Sequence, residues 1–268
     1  MSTTVWLNGR LLNITDAHIA PNDRGFLLSD GLFETIRVAN GQTPHLARHF
    51  ARLEEGCAIL SLPSPDRTLL TQAVSDLLHT TNLSDGSLRL TVTRGTGPRG
   101  LVPPAMPHPT VLIQATASIM TVPTPVRLGL SRYRRDGDSP LARVKSLACL
   151  LSVMSRMEAV AVGLDDALLL GTTGAIAEAS AANVLFLRGG CLQTPPIADG
   201  ALPGTSRARL LDGGFCMESC LLPQDLKTVT GAWLVNALSL TAVSSIDGHD
   251  LPLHAELDRR LRAFLFPA

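Results

Sequence analysis

At 268 residues, with 45% hydrophobic and 17% charged side chains, the chain holds apolar material for one large core or two modest ones, which excludes a disordered protein. A formal net charge of zero gives no electrostatic footprint that argues for nucleic acid or anionic lipid. No apolar run reaches membrane-spanning length, and MSTTVWLNGR lacks the basic-then-apolar build of a signal peptide, so a cytoplasmic protein is expected.

The elements begin with two expected hairpins, VWLNGRLLN and TIRVANGQTPHL, each with Asn-Gly between strand-like segments, the residues a type I′ turn requires. HLARHFARLEEGCAIL follows as a helix with Leu46, Phe50, Leu53, Cys57 and Leu60 on one stripe. Asp66 is placed to cap a second helix whose buried face holds Leu69, Leu70, Ala73, Val74, Leu77 and Leu78. SLRLTVTR and TVLIQATA read as strands. The proline-punctuated IMTVPTPV, residues 119–126, reads as a linker between a small N-terminal domain (1–118) and a larger C-terminal domain (127–268). In the second half VRLGLS, DDALLLG, NVLFLRGG and AWLVNAL read as strands. Leu147, Leu150, Leu151, Met154 and Met157 recur at helical spacing, which predicts a largely buried helix with Lys145 at or just before its first turn; another helix begins near Ser206. Strands and helices mix without strict alternation, which predicts an α+β fold in both domains.

RGTGPRG carries Gly95, Gly97 and Gly100 in a G-x-G-x-x-G spacing after a strand. A dinucleotide turn needs a helix immediately afterwards, and the four prolines of LVPPAMPHP forbid one; the next acidic residue, Asp136, is also too distant to meet a ribose. The loop, with Arg94 and Arg99, either holds a substrate carboxylate or is a solvated turn. Five cysteines are scattered, an odd number that suits a reducing compartment. Cys216 and Cys220 have no partner pair or nearby histidine, so no metal site is expected.

Only Lys145 and Lys227 are lysine, against 21 arginines. A lysine in an apolar run either snorkels or serves as an amine that loses its proton. Arginine snorkels equally well but cannot be deprotonated, so Lys145 points to imine formation with a carbonyl, either of a substrate or of pyridoxal phosphate. That cofactor also needs an acid at its pyridine nitrogen, and an arginine with helix-head N–H groups at its phosphate. Glu178 lies in the apolar GAIAEASAANVLF, Thr205 and Ser206 follow Gly204 at a helix start in LPGTSRARLL, and HFARL offers Arg52. Each has a plain alternative: a satisfied turn residue, a helix cap, a surface charge.

Together and in this order, NDRGFLLSDGLFETIRVANGQTPHLARHFARLEEG, VKSL, GAIAEASAANVLF and LPGTSR resemble the class IV pyridoxal-phosphate aminotransferases, over nearly the whole chain. That family includes branched-chain aminotransferases, D-amino-acid transaminases and aminodeoxychorismate lyase. The resemblance implies the two-domain α+β fold of fold type IV, with pyridoxal 5′-phosphate between the domains of a homodimer. It implies Lys145 as the Schiff-base lysine and proton-transfer base, and Glu178 as partner of the pyridine nitrogen. It further implies Arg52, Thr205 and Ser206 as phosphate contacts, with Asn236 near them.

VNAL around Asn236, TRGTGPRG and HFARLEEGCAIL are similar to aminodeoxychorismate lyase, the folate-pathway enzyme that forms 4-aminobenzoate and pyruvate from 4-amino-4-deoxychorismate. Of the two arginines on the glycine loop, Arg99 is the candidate for a substrate carboxylate. Ser146 and Ala148 replace a histidine and an asparagine usual in lyases, Leu101 replaces an aromatic residue, and Leu150 replaces the tyrosine of branched-chain enzymes. KSL also occurs in D-amino-acid transaminases. The alternatives are therefore a class IV aminotransferase for D- or branched-chain amino acids and a non-catalytic cofactor-binding protein.

Overall fold

A computed structural model describes residues 3–118 and 121–267. The chain divides into two compact units, residues 1–120 with Val144–Ala148 and residues 121–143 with 149–268, so the Lys145 segment counts with the first. Residues 119 and 120 of the expected linker lie outside the described residues, and Val126 at its end already opens a strand.

In the first unit β1 (Thr4–Leu7) and β2 (Arg10–Asn13) form the predicted hairpin, with Asn8 and Gly9 at φ 46° and 91°. The second Asn-Gly also turns the chain, and Ala39 and Gln42 exchange backbone hydrogen bonds, but no hairpin follows. β3 (Gly31–Val38) ends at this turn, and the next element is α2 (Leu46–Ile59). β3 pairs instead with β4 (Gly86–Thr93), in register from Gly31↔Thr93 to Val38↔Gly86, a ladder longer than any strand the turn leaves room for. α1 (Arg24–Leu28) precedes β3, and β5 (Thr110–Ala117) completes an antiparallel sheet in the order β2-β1-β5-β4-β3.

α2 buries Phe50, Leu53 and Cys57 as predicted, and His49 besides. α3 (Arg67–Thr81) is capped by Asp66, whose Oδ1 accepts the Leu69 N–H at 2.8 Å. It buries Leu70, Ala73, Val74 and Leu77, whereas Leu69, expected inside, is exposed at the rim of the stripe in the first turn. α2 packs on β3 and α3 on β1 and β5, closing a core around Trp6, Ile36, Phe50, Leu77, Leu88 and Ile113.

The second unit runs β6 (Val126–Arg135), α4 (Leu150–Ala161), β7 (Asp166–Gly171), β8 (Ile176–Ala179), β9 (Asn183–Arg188), β10 (Cys191–Thr194) and α5 (Thr205–Asp212). β11 (Met217–Glu218), β12 (Val229–Val235), β13 (Leu240–Ile246), β14 (His249–Asp250) and α6 (Ala255–Leu265) follow. The sheet order is β11-β10-β9-β12-β13-β6-β7-β8 with β14 beside β13, mixing parallel and antiparallel neighbours. Side chains alternate across it: Val184, Phe186, Ala232 and Leu234 enter one core, Leu185, Trp233 and Val235 another with Leu210, Leu261 and Leu265. Both faces are covered, which is why NVLFLR and AWLV read as unbroken apolar runs.

The helix after Lys145 differs from expectation. α4 begins at Leu150, Lys145 lies outside it, and only Ser155 and Ala159 are buried. These small residues let α4 approach β6 and β7, while Leu150, Val153, Met154, Met157 and Val160 stand exposed. Among the described residues no helix is long and apolar enough to cross a membrane.

Candidate active site

Lys145 sits in an extended segment laid antiparallel against β3, the edge strand of the first sheet. Its carbonyl accepts the Phe33 N–H at 2.9 Å, the Leu147 N–H reaches the Gly31 carbonyl at 3.0 Å, and Ser146 bridges to Leu32. The half-buried Lys145 carries its Nζ 4.3 Å from the centroid of the Phe33 ring. Pairing on both sides of Ser146, beginning at the Lys145 carbonyl, holds the backbone from which the lysine amine projects.

The next residue along β3, Glu34, points to the opposite face, into the core with Leu32, Ile36 and Val38, and is 1% exposed. His49 Nδ1 meets its Oε2 at 2.6 Å, Arg52 Nε donates to Oε1 at 2.7 Å, and Arg52 Nη2 donates to Oε2 at 2.5 Å. Burial alone raises the Glu34 pKa, but the hydrogen bonds from His49 and Arg52, with their charges, outweigh it and hold the carboxyl below the ordinary glutamate value. Arg52 is therefore a clamped residue and not a loose surface charge.

The glycine loop has a similar anchor. Arg24 and Arg94 each donate Nε to Asp30 Oδ2 at 2.8 Å. Arg24 continues to the carbonyls of Gly100 and Leu101, and Arg94 to those of Leu60 and Ser61. Burial pushes the Asp30 pKa up, but the hydrogen bonds and charges of Arg94 and Arg24 bring it below the ordinary aspartate value. Arg94 thus ties the sheet to the end of α2, whereas Arg99 is exposed on the loop. No helix follows this loop, in keeping with the rejected dinucleotide motif.

In the second unit Glu178 lies on β8, 8% exposed. Arg135 Nη1 is 3.0 Å from its Oε1; its Oε2 accepts the Leu202 N–H at 2.9 Å and Asn183 Nδ2 at 3.2 Å. Arg135 is itself held by the carbonyls of Gly200 and Ala142. Asn183 Nδ2 also donates to the Leu202 carbonyl, joining the carboxylate to the segment that leads into α5. A Cβ on Gly204 would lie 2.0 Å from Asn183 Oδ1, so a side chain there would break this junction. α5 starts at Thr205 with no side chain capping its head; Thr205 and Ser206 are buried beside it, and Ser206 Oγ donates to the Asn236 carbonyl at 2.8 Å. Asn236 Oδ1 accepts the N–H groups of Leu238 and Ser239, which fixes the turn after β12.

These groups fit the expected cofactor. An uncapped helix head with two hydroxyls and a glycine that keeps the approach narrow suits a phosphate, and an ordered carboxylate suits a protonated ring nitrogen. Within the second unit Glu178, Ser206 and Asn236 are brought together through Asn183 and Gly204; within the first, Lys145 lies against Phe33 and Arg52 pairs with Glu34, neighbouring residues of β3. Sequence reasoning missed Glu34, His49, Arg135 and Asn183. The visible signal was for Glu34 alone: a charge alternating with Leu32, Ile36 and Val38 on one strand face.

A model of the amino-transferase class IV family matches residues 31–246. The chain is 31% identical over 259 residues to a putative branched-chain-amino-acid aminotransferase of Methanocaldococcus jannaschii, covering 91% of this chain and 88% of that one. It is 30% identical to D-alanine aminotransferase of Bacillus licheniformis, covering 92% and 89%. The solved structure of 4-amino-4-deoxychorismate lyase from Pseudomonas aeruginosa superposes with a TM-score of 0.84 at 31% identity, covering 96% of this chain and 98% of that one.

Proposed function

Since the chain belongs to the class IV aminotransferases, a family of pyridoxal-phosphate-dependent enzymes, we propose that it is an aminodeoxychorismate lyase, which releases 4-aminobenzoate and pyruvate from 4-amino-4-deoxychorismate. Its family is one of enzymes, so the non-catalytic alternative falls. The observation that carries the lyase reading is the lyase-like VNAL, where the Asn236 side-chain Oδ1 accepts the Leu238 and Ser239 N–H groups and shapes the turn beside α5; the full-length likeness to the Pseudomonas lyase supports it. A transaminase for D- or branched-chain amino acids is the second reading, favoured by the Methanocaldococcus and Bacillus relatives. Cofactor-loaded protein given 4-amino-4-deoxychorismate should release fluorescent 4-aminobenzoate. Absence of release, with keto acid formed from D-alanine or leucine, would overturn the lyase in favour of the transaminase.

Pyridoxal phosphate supplies a carbonyl that condenses with amines and a ring that takes up the electron pair left by a neighbouring bond. Lys145 would hold that carbonyl through its amine, and the same amine, when free, would take the proton from the amine-bearing carbon of the substrate. The Glu178 carboxylate, ordered by Arg135, Asn183 and the Leu202 N–H, would keep a proton on the ring nitrogen. Arg52 and the head of α5 with Thr205 and Ser206 hold the phosphate. Arg99 meets a substrate carboxylate.

We also propose a homodimer. Leu150, Val153, Met154, Met157 and Val160 line one face of α4, with Leu150 at 74% and Met157 at 65% exposure in the single chain. An apolar stripe of this kind is left open on few monomers, and a second copy covers it. Met157→Glu should shift the protein from dimer to monomer in light scattering after size exclusion; an unchanged dimer mass would remove α4 from the interface.

A further inference from the structure

Glu34 has a neighbourhood that stability alone does not explain. Its strand face otherwise carries Leu32, Ile36 and Val38, all buried, and α2 brings Phe50 and Leu53 to the same core. An apolar residue at this position would suit that core at least as well, because a buried ion pair returns little net stability over a hydrophobic replacement. Instead the carboxylate draws in two groups spaced three residues apart on one helix, His49 and Arg52. Both Glu34 oxygens engage Arg52, one taking Nε and the other Nη2, while His49 takes the second oxygen as well. A guanidinium gripped along this edge by a carboxylate that is itself gripped has its plane fixed.

We propose that Glu34 is the positioning residue for the cofactor's phosphate: it sets the plane and direction of Arg52, and His49 orients the Glu34 carboxylate in turn. The proposal rests on the reading of Arg52 as a phosphate contact. Phosphate recognition in this unit is therefore a three-residue device spanning β3 and α2, and the histidine at the third position before the arginine belongs to it.

Simple charge counting predicts the opposite outcome for one substitution, which makes the proposal testable. Glu34→Gln removes a negative charge beside Arg52; were Coulombic attraction the controlling factor, phosphate binding would tighten. If positioning controls, it weakens. The full chain is titrated by absorbance with pyridoxal 5′-phosphate and with pyridoxal, which lacks the phosphate, and the ratio of the two dissociation constants is taken. Glu34→Gln should reduce the preference for the phosphorylated form by about tenfold, as loss of a ligand's orienting partner commonly does, and leave pyridoxal affinity unchanged. In the Arg52→Ala background the same substitution should change the ratio no further.

If Arg52→Ala itself leaves the ratio unchanged, the phosphate reading of Arg52 is wrong. If Arg52→Ala lowers the ratio but Glu34→Gln leaves or raises it, the reading stands and the positioning proposal is overturned. Circular dichroism checks the fold. Should Glu34→Gln not fold, His49→Gln serves instead, since it loosens the carboxylate while Glu34 and Arg52 keep their pairing: a lowered ratio supports the proposal, and an unchanged one overturns it.

Discussion

Lys145→Ala is expected to abolish turnover, lowering kcat by a factor on the order of 10⁴ or more, because it removes at once the amine that holds the cofactor and the base that moves the substrate proton. Lys145→Arg should be as inactive as the alanine variant. It keeps the positive charge beside the Phe33 ring and most of the side-chain volume, but a guanidinium does not lose its proton. This pair of variants separates a chemical role from a structural one. Were Lys145 only a cation on the Phe33 face, arginine would restore activity. Measuring kcat for both, with far-ultraviolet circular dichroism to confirm the fold, decides between them.

Glu178→Gln is expected to lower kcat by about 10²- to 10³-fold with little change in KM, the size of effect seen when one ordered electrostatic partner of a developing charge is removed. The substitution keeps the shape and the contacts to Asn183 and the Leu202 N–H, but a neutral amide does not hold a proton on the ring nitrogen. It also leaves Arg135 facing a neutral group, so thermal stability should fall modestly, as it does when one partner of a buried pair is lost. Turnover at the parent rate in a folded Glu178→Gln variant would remove Glu178 from the electron-sink role.

Local signals in the sequence carried well where the structure itself is local. Asn8-Gly9 turned as a hairpin, Asp66 capped α3, and α5 started at Thr205 beside its glycine. They failed where the partner is distant. Asn40-Gly41 has the same turn chemistry as Asn8-Gly9, but β3 takes its ladder from β4, and nothing near residue 40 announces that choice. The Lys145 segment read as the head of a helix, because Leu147, Leu150 and Met154 have helical spacing; in the fold Leu147 donates to Gly31, far away in the chain, and the segment is extended. Periodicity also shows that α4 has an apolar face without showing what covers it, so a surface stripe read as a buried one. Of the candidate site, Lys145 and Glu178 stood out because their types are rare in their surroundings: one lysine in an apolar run, one glutamate between alanines. Their supporting groups were not, since Arg135, Asn183 and His49 are ordinary residues whose importance appears only when β8, β9 and α2 bring them against a carboxylate.

Attachment of the cofactor through Lys145 is directly measurable, because lysine is so rare in this chain. Cofactor-loaded protein is reduced with borohydride, digested and analysed by mass spectrometry for a phosphopyridoxyl group. With only Lys145 and Lys227 in the chain, there are two lysine sites to distinguish. The modification is expected on the peptide bearing Lys145, with none on that bearing Lys227. Modification of Lys227 alone, or no stable adduct on either peptide from protein that visibly holds its cofactor, would contradict it.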